Sequence, residues 1–300
     1  LLLWFTLLYP LIGFFLLWGG SIWGPVGALI GAGIMVLAFR GLANLAGVAV
    51  AAGLAFLIAC VWWFFLQTYL TTALHTALPI GLDGVISDKF GGFVLAFTIG
   101  VTAISGSLPI GVILALGRQS DMPLVKTLCV GFIEFIRGVP LITMLFTASL
   151  LLQYFLPPQV KFDLILRVII LVTIFASAYI AEVIRGGLAA LPRGQYEAAD
   201  ALGLDYWQAQ RLIIMPQALK ISIPGIVGSF IGLFKDTTLV ALVGLADPLV
   251  GITKIVRADI NWKAIYWEPY IFVGAIFFIF CFSMSRYSMY LERKLKTDHR

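Results

Sequence analysis

The sequence predicts an all-α membrane protein of about eight transmembrane helices, and three observations carry that expectation. Of 300 residues, 61% are hydrophobic and only 12% charged, whereas a soluble domain carries about a quarter charged residues. The mean hydropathy is +1.02. Apolar runs recur at the length of about 20 residues that a helix needs to cross a bilayer. The cationic residues gather in alternate loops, as membrane topology requires. The net charge of +5 therefore matters through its distribution and gives no reason to expect a nucleic-acid partner.

The first expected span is residues 3–18, closed by Gly19-Gly20-Ser21. The second is residues 25–39, ended by Arg40, and the third is residues 45–66, with Trp62-Trp63 as an interfacial pair near its end. Arg40 is the single Asp, Glu, Lys or Arg in the first 82 residues. Residues 1–66 therefore read as accessory helices facing lipid, because nothing in them could bind a polar solute. The chain does not open on Met, so a short native N-terminus is expected before Leu1. No basic segment or small-residue cleavage site marks a signal peptide.

Residues 67–92 form a polar interval with Pro79, Gly81, Asp83 and Asp88, read as a loop outside the membrane. Residues 93–116 make the fourth span; Gly100, Ser105, Gly106 and Ser107 allow close helix approach, and Pro109 can bend it. Residues 118–126 form a short charged turn. The fifth span is residues 139–155, stopped by Pro157-Pro158, and the sixth is residues 164–183. The seventh starts at Ile221, is opened by Pro224-Gly225, and is interrupted at Lys235-Asp236-Thr237-Thr238. There Asp236 is placed to cap a turn over residues 237–244. The eighth is residues 270–287, and a basic tail with Arg293, Lys294, Lys296 and Arg300 follows.

Eight spans put both termini on one side. If the basic tail is cytoplasmic, so are Arg40, Arg118, Lys126, Arg185, Arg193, Arg211 and Lys220, while the loops opposite hold Lys89 and Lys161. That satisfies the positive-inside rule. Lys254, Arg257 and Lys263 are the exception, balanced by Asp247, Asp259 and Glu268.

The most polar stretch is residues 185–220, with Arg185, Arg193, Glu197, Asp200, Asp205, Arg211 and Lys220. It must sit in water or against another protein. Pro192 suits the first turn of a helix and residues 195–202 are good helix formers. Gly203 breaks the run. Asp205 with Gln208 three residues on resembles a capping box, which predicts a second short helix over residues 205–213 before Pro216. Two short helices joined at a glycine make an elbow. Its second arm carries Tyr206, Trp207, Leu212 and Ile213, an apolar face suited either to the lipid surface or to a docking partner.

Four blocks carry a resemblance to a family. Glu197-Ala198-Ala199, three residues, Gly203, nine residues, Ile213, one residue, and Met215-Pro216 resemble the EAA loop of ABC importer permeases, with Met215 where Leu is usual. Phe135-Ile136-Arg137-Gly138-Val139-Pro140-Leu141, the stretch from Ala178 to Gly187, and Lys235-Asp236-Thr237-Thr238-Leu239 resemble the polar-amino-acid branch of that family. The resemblance spans residues 93–291; with its three extra N-terminal helices the chain is similar to permeases of general L-amino-acid importers, including the glutamate/glutamine/aspartate/asparagine type. It implies a type I importer core of five helices and a cytoplasmic coupling helix. It implies two ATPase subunits, which hold ATP and Mg, a second permease of different sequence forming a heterodimer, and a periplasmic binding protein. It also implies an inner-membrane location, with residues 292–300 as a cytoplasmic tail. Glu197, Ala198, Ala199, Gly203, Asp205 and Trp207 become the expected ATPase-coupling residues.

Glu134 and Arg137, three apart near a span end, read chiefly as a mutual pair fixing the helix, and Glu182 and Arg185 repeat the spacing. Lys235, Asp236 and Thr237 in a broken helix, with Glu134, are the candidates for lining a translocation path. His75 and His299 read as solvated. Cys60, Cys129 and Cys281 lie in apolar runs without paired spacing, and read as small apolar side chains. There is no G-x-x-x-x-G-K-[ST] phosphate loop, no nucleophile–base pairing and no metal cluster, so no cofactor and no catalysis are expected in this chain. The alternative is an ion-coupled secondary carrier working alone. That reading expects more buried carboxylates and an inverted internal repeat, and no such repeat is visible.

Overall fold

The structure is a computed structural model that describes residues 12–13, 15–85, 89–151, 154, 163–262, 265 and 267–295. Most of the expected first span, residues 3–18, lies outside the described residues. The chain divides into two units, Leu1–Lys89 and Phe90–Arg300.

In the first unit, strand β1 (Gly20–Ser21) leads into α1 (Trp23–Ala46) and α2 (Val48–Val61). A π turn, Trp62–Leu66, then joins α2 to α3 (Gln67–Ala77), and β2 (Gly81–Leu82) pairs antiparallel with β1. Helices α1 and α2 form a hairpin. Ala51, Ala55 and Ala59, four residues apart on one face, are at most 1% exposed. Gly31 lies so close to the Trp62 and Trp63 rings that a Cβ there would collide with them. The indoles of Trp62 and Trp63 donate to the carbonyls of Gly27 (2.9 Å) and Ala28 (3.4 Å). The expected helix end at Leu66 is therefore corrected: one apolar run covers Val50–Ala77, and the tryptophans sit within it against α1. The first part of the interval expected as a loop, residues 67–77, is thus helical, and its polar groups bond within the hairpin. Gln67 donates to the Gly24 carbonyl (3.2 Å), and Thr72 and Thr76 bond back to the carbonyls of Thr68 and Thr72 (2.7 Å each).

The second unit begins with α4 (Gly92–Gln119) and α5 (Pro123–Gly138), then α6 (Leu141–Phe146) extended by a π turn, Thr147–Leu151. Then come α7 (Leu164–Ala189), α8 (Arg193–Ala201), α9 (Tyr206–Ala209), a π turn, Gln210–Ile214, and α10 (Met215–Asp236). A 3-10 segment, Thr237–Val243, then α11 (Pro248–Val250), a π turn, Gly251–Val256, and α12 (Glu268–Leu295) complete it. Helix α7 is the axis of this unit. Ile165, Val168, Val172, Ala178, Ile180, Ala181, Ile184 and Leu188 are buried along it, against α4, α5, α6 and α10. Small residues set the crossings: a Cβ at Gly111 would lie 2.6 Å from Ile180 Cγ2, and one at Gly187 would lie 2.6 Å from the Ala218 carbonyl oxygen and collide with Ser222. Asp163 caps α7, its Oδ1 accepting from Ile165 (2.9 Å) and Leu166 (3.2 Å). Arg167, buried within that helix, donates to the Ser149 carbonyl (2.9 Å) on the π turn after α6.

Among the described residues six helices are long and apolar enough to cross a membrane, and seven if the bent pair α5–α6 is one span. Two expectations are corrected. The seventh span does not begin at Ile221, nor does the elbow's second arm end at Ile213. A single run covers Tyr206–Val243, because the π turn at Gln210–Ile214 carries the helix into α10 with Pro216 in its first turn. Pro224 sits inside α10, near its middle. The expected fifth span, residues 139–155, is also recast: Val139-Pro140 is a bend between α5 and α6, since the residue before proline is held out of helical conformation.

Candidate functional site

The elbow forms much as its sequence demands. Helix α8 ends in a Schellman arrangement: Gly203 N–H donates to the Asp200 carbonyl (2.9 Å) and Leu204 N–H to the Ala199 carbonyl (3.2 Å), with Gly203 at φ +70°. Asp205 then caps α9. Its Oδ1 accepts from Gln208 N–H (2.8 Å), and Gln208 Oε1 accepts from Asp205 N–H (3.2 Å), so the capping box is complete. The elbow's root is firm. Leu188, Leu191, Ile214 and Ala218 share one buried cluster with Ile184, Ala115 and Ile133, and Tyr196, Ile213 and Met215 pack against it. Burial there pushes the Tyr196 phenol above its ordinary range. Gln217 Nε2 donates to Gln195 Oε1 (2.8 Å) and ties α8 to α10.

The elbow's outer surface is different. Glu197, Ala198, Gly203 and Asp205 are exposed, while Ala199 is buried beneath them. Leu202 and Trp207 are 72% and 70% exposed, and Tyr206 and Leu212 stand out beside them. Tyr206 and Trp207 meet edge to face at 5.3 Å. The six residues expected to couple thus occupy one continuous piece of chain, five of them at its surface. This is a rigid knuckle with an apolar, acid-flanked tip.

Next to the root lies a charge cluster that single-helix spacing did not reveal. Arg118 ends α4, Glu134 and Arg137 lie on the last turns of α5, and Glu182 and Arg185 lie on α7. The expected mutual Glu134–Arg137 pair is corrected. Glu134 pairs with Arg118 (2.9 Å), while Arg137 stands 3.7 Å from Glu182 Oε2 with its guanidinium 5.7 Å from the centre of the Tyr179 ring. The two residues share a helix face, yet neighbouring helices offer each a better-placed partner. The expected Glu182–Arg185 pair is present, at 2.9 Å from Arg185 Nε. Glu182 Oε2 also lies 3.3 Å from Arg118. One carboxylate therefore faces three guanidiniums from three helices. The signal available in sequence was only that arginines occur at three helix ends.

The candidate path residues separate. Asp236 lines a cleft of about 240 Å³ between α7 and α10, with Phe175, Tyr179, Ser229, Phe230 and Gly232. Lys235, next in sequence, is exposed, and Thr237 is buried with its hydroxyl on the Phe234 carbonyl (2.7 Å). Asp236 makes no side-chain cap to the 3-10 turn that follows, contrary to the expected capping role. Glu134 belongs to the arginine cluster and does not line the cleft. Phe234 closes an aromatic group with Phe93, Phe97, Phe277 and Phe280 that joins α4, α10 and α12.

Asp247 is a buried acid that sequence reading passed over as loop charge. It is fully buried; Oδ1 caps the next helix by accepting from Val250 N–H (2.8 Å), while Oδ2 has no hydrogen-bond partner. Burial raises its pKa, against the lowering effect of the backbone N–H groups of Val250 and Leu249. Among the described residues no group of His, Cys, Asp and Glu could hold a metal ion.

Comparison with known proteins places this geometry. The model of the family described as "Binding-protein-dependent transport system inner membrane component" matches residues 107–297. The chain is 72% identical over 299 residues to a glutamate/glutamine/aspartate/asparagine transport system permease protein of Rhodobacter capsulatus, covering all of this chain and 69% of that one. It is 47% identical over 237 residues to an inner membrane amino-acid ABC transporter permease protein of Escherichia coli K12, covering 79% of this chain and 62% of that one. The chain thus spans roughly two thirds of the length of these relatives. A crystal structure of an amino acid ABC transporter with histidines superposes with a TM-score of 0.59 at 29% identity, over 77% of this chain and 98% of that one. With the knuckle, its buried root and the helix core all inside or overlapping the matched region, this chain belongs to the binding-protein-dependent transport system inner membrane components, the permease subunits of ABC importers.

Proposed function

We propose that this chain is the permease subunit of an ATP-driven L-amino-acid importer and that the knuckle is where it couples to the ATPase. The observation that carries the proposal is the knuckle's build. Capped helices on a buried root hold Glu197, Ala198, Gly203, Asp205 and Trp207 outward, with an apolar tip too large to be left in water. Ala199, packed beneath, holds the tip to its root. A helix end fixed by a capping box transmits force to α7 and α10 without folding up itself. The chain carries no nucleotide loop, so ATP and Mg belong on two partner ATPase subunits.

The cleft lined by Asp236 is the candidate path. Its carboxylate suits the ammonium group of an amino acid, and its aromatic wall accepts an aliphatic stem. Lys235 and Thr237 flank Asp236 in the chain without lining the cleft. The relative from Rhodobacter capsulatus, named for glutamate, glutamine, aspartate and asparagine, supports acidic amino acids and their amides as the substrates. The family's description as binding-protein-dependent supports a binding protein as partner, a second permease of different sequence completes the proposed complex, and the positive-inside pattern supports both termini in the cytoplasm. The relatives give no support to an ion-coupled carrier working alone.

Reconstitution in proteoliposomes tests the reading. The complex of this chain, its partner permease, the ATPase and the binding protein is expected to take up radiolabelled L-glutamate only with Mg-ATP on the ATPase side. Uptake by this chain alone, collapsed by an ionophore, would refute it.

A further inference from the structure

We infer that Glu182 and Arg137 form a switch that carries the knuckle's movement to the cleft, with Tyr179 as its output. The inference rests on the importer reading above and adds a route within the chain. Glu182 sits on α7, and Arg185, the residue that holds it most tightly, lies one turn nearer the knuckle. The same carboxylate reaches across to α4 through Arg118 (3.3 Å) and to α5 through Arg137 (3.7 Å). Neither of those contacts has hydrogen-bond geometry, and Glu182 Oε2 is left buried without a hydrogen-bond partner.

Both loosely held arginines have a second partner within reach. Arg118 is hydrogen-bonded to Glu134 at 2.9 Å, and Arg137 lies over the Tyr179 ring at 5.7 Å. An unfilled carboxylate oxygen between two guanidiniums that are each shared with another group is an arrangement with a second state close by. In it Arg137 closes onto Oε2 and leaves the ring. A charge-assisted hydrogen bond replaces a cation–π contact, so the exchange needs no large net change in energy. Its consequence falls on Tyr179, which lines the cleft together with Asp236. Movement of α7 by the knuckle changes the Glu182–Arg137 distance first, and the wall of the cleft follows. Both residues are positioning residues; neither lines the cleft.

The test is coupling stoichiometry, measured on the full importer complex in proteoliposomes with radiolabelled L-glutamate. Glu182→Gln is expected to keep ATP hydrolysis but lower glutamate transported per ATP by about tenfold, with Glu182→Asp partly restoring it. Arg137→Gln is expected to do the same, and Arg137→Lys, which keeps charge but loses the planar fork, to fall between. The double variant Glu182→Gln/Arg137→Gln is expected to be no worse than either single one, because the two act through each other. Additive losses, or an unchanged ratio in Arg137→Gln, would overturn the switch. If Glu182→Gln fails to assemble, the two Arg137 variants decide the matter by the same ratio. A native complex without ATP-dependent uptake would instead defeat the importer reading itself, so the two failures are distinguishable.

Discussion

At the scale of single residues, the informative ones are acids whose surroundings do not match their charge. Asp247 is buried with one oxygen capping a helix and the other unmatched, and burial raises its pKa from the ordinary 3.8. Between the ordinary value and the raised one, the folded chain holds a proton that the unfolded chain has lost. Stability therefore falls as pH rises through that window. Asp247→Asn keeps an oxygen for the Val250 cap and removes the charge, so the thermal midpoint of the detergent-solubilised protein is expected to rise at pH 8 and its pH dependence to flatten. A midpoint that still falls with pH as in the native chain would mean another group is responsible. Asp236 has a different setting, lining the cleft beside Tyr179 and Ser229. Asp236→Ala is expected to reduce glutamate uptake by at least tenfold while leaving the amount of assembled complex unchanged. Kinetics equal to the native complex would remove Asp236 from the path.

At the scale of elements, two features set how the helices hold together and how they move. The first is the knuckle. Gly203 at φ +70° is a conformation that L side chains rarely adopt and that proline, fixed near −65°, cannot reach. Gly203→Pro is expected to insert normally yet to lose co-purification with the ATPase. Glu197→Lys, which reverses an exposed charge on the same surface, is expected to do likewise. Normal co-purification of both would move the coupling surface elsewhere. The second is the crossing of α7 and α10 at Gly187, where an added Cβ would meet the Ala218 carbonyl oxygen at 2.6 Å and Ser222 closer still. Backbone cannot yield as a flexible side chain can. Gly187→Val is expected to cost about 1–3 kcal/mol of stability, read as a lowered thermal midpoint of the solubilised protein, whereas the same change at Gly131, where the space is open, should cost much less.

At the scale of the whole molecule, the knuckle, the arginine cluster and the cleft all lie in the unit Phe90–Arg300. A chain limited to residues 90–300 is therefore expected to insert and to co-purify with the ATPase, as judged by pull-down from membranes. A failure to bind despite normal insertion would give the N-terminal helices a part in assembly. The sequence by itself determined the membrane class, most of the helices and the elbow, because these follow from local chemistry. Apolar runs must leave water, Gly203 must turn, and Asp205 with Gln208 must cap, whatever lies nearby. Helix ends were less legible. Residues 67–77 begin an interval read as a loop for its Pro79, Gly81, Asp83 and Asp88, yet they stay helical with threonines bonded to their own backbone, and a π turn at Gln210–Ile214 carries the chain past Pro216 without a stop. Only the tertiary structure decided which charges meet. Glu134 and Arg137 share one face of α5, yet the partners they find are Arg118 on α4 and Glu182 on α7. Pairing across helices depends on which ends are brought level by packing around α7. That packing is set by small residues far apart in sequence, such as Gly111 against Ile180 and Gly187 against Ala218, and no local spacing encodes it.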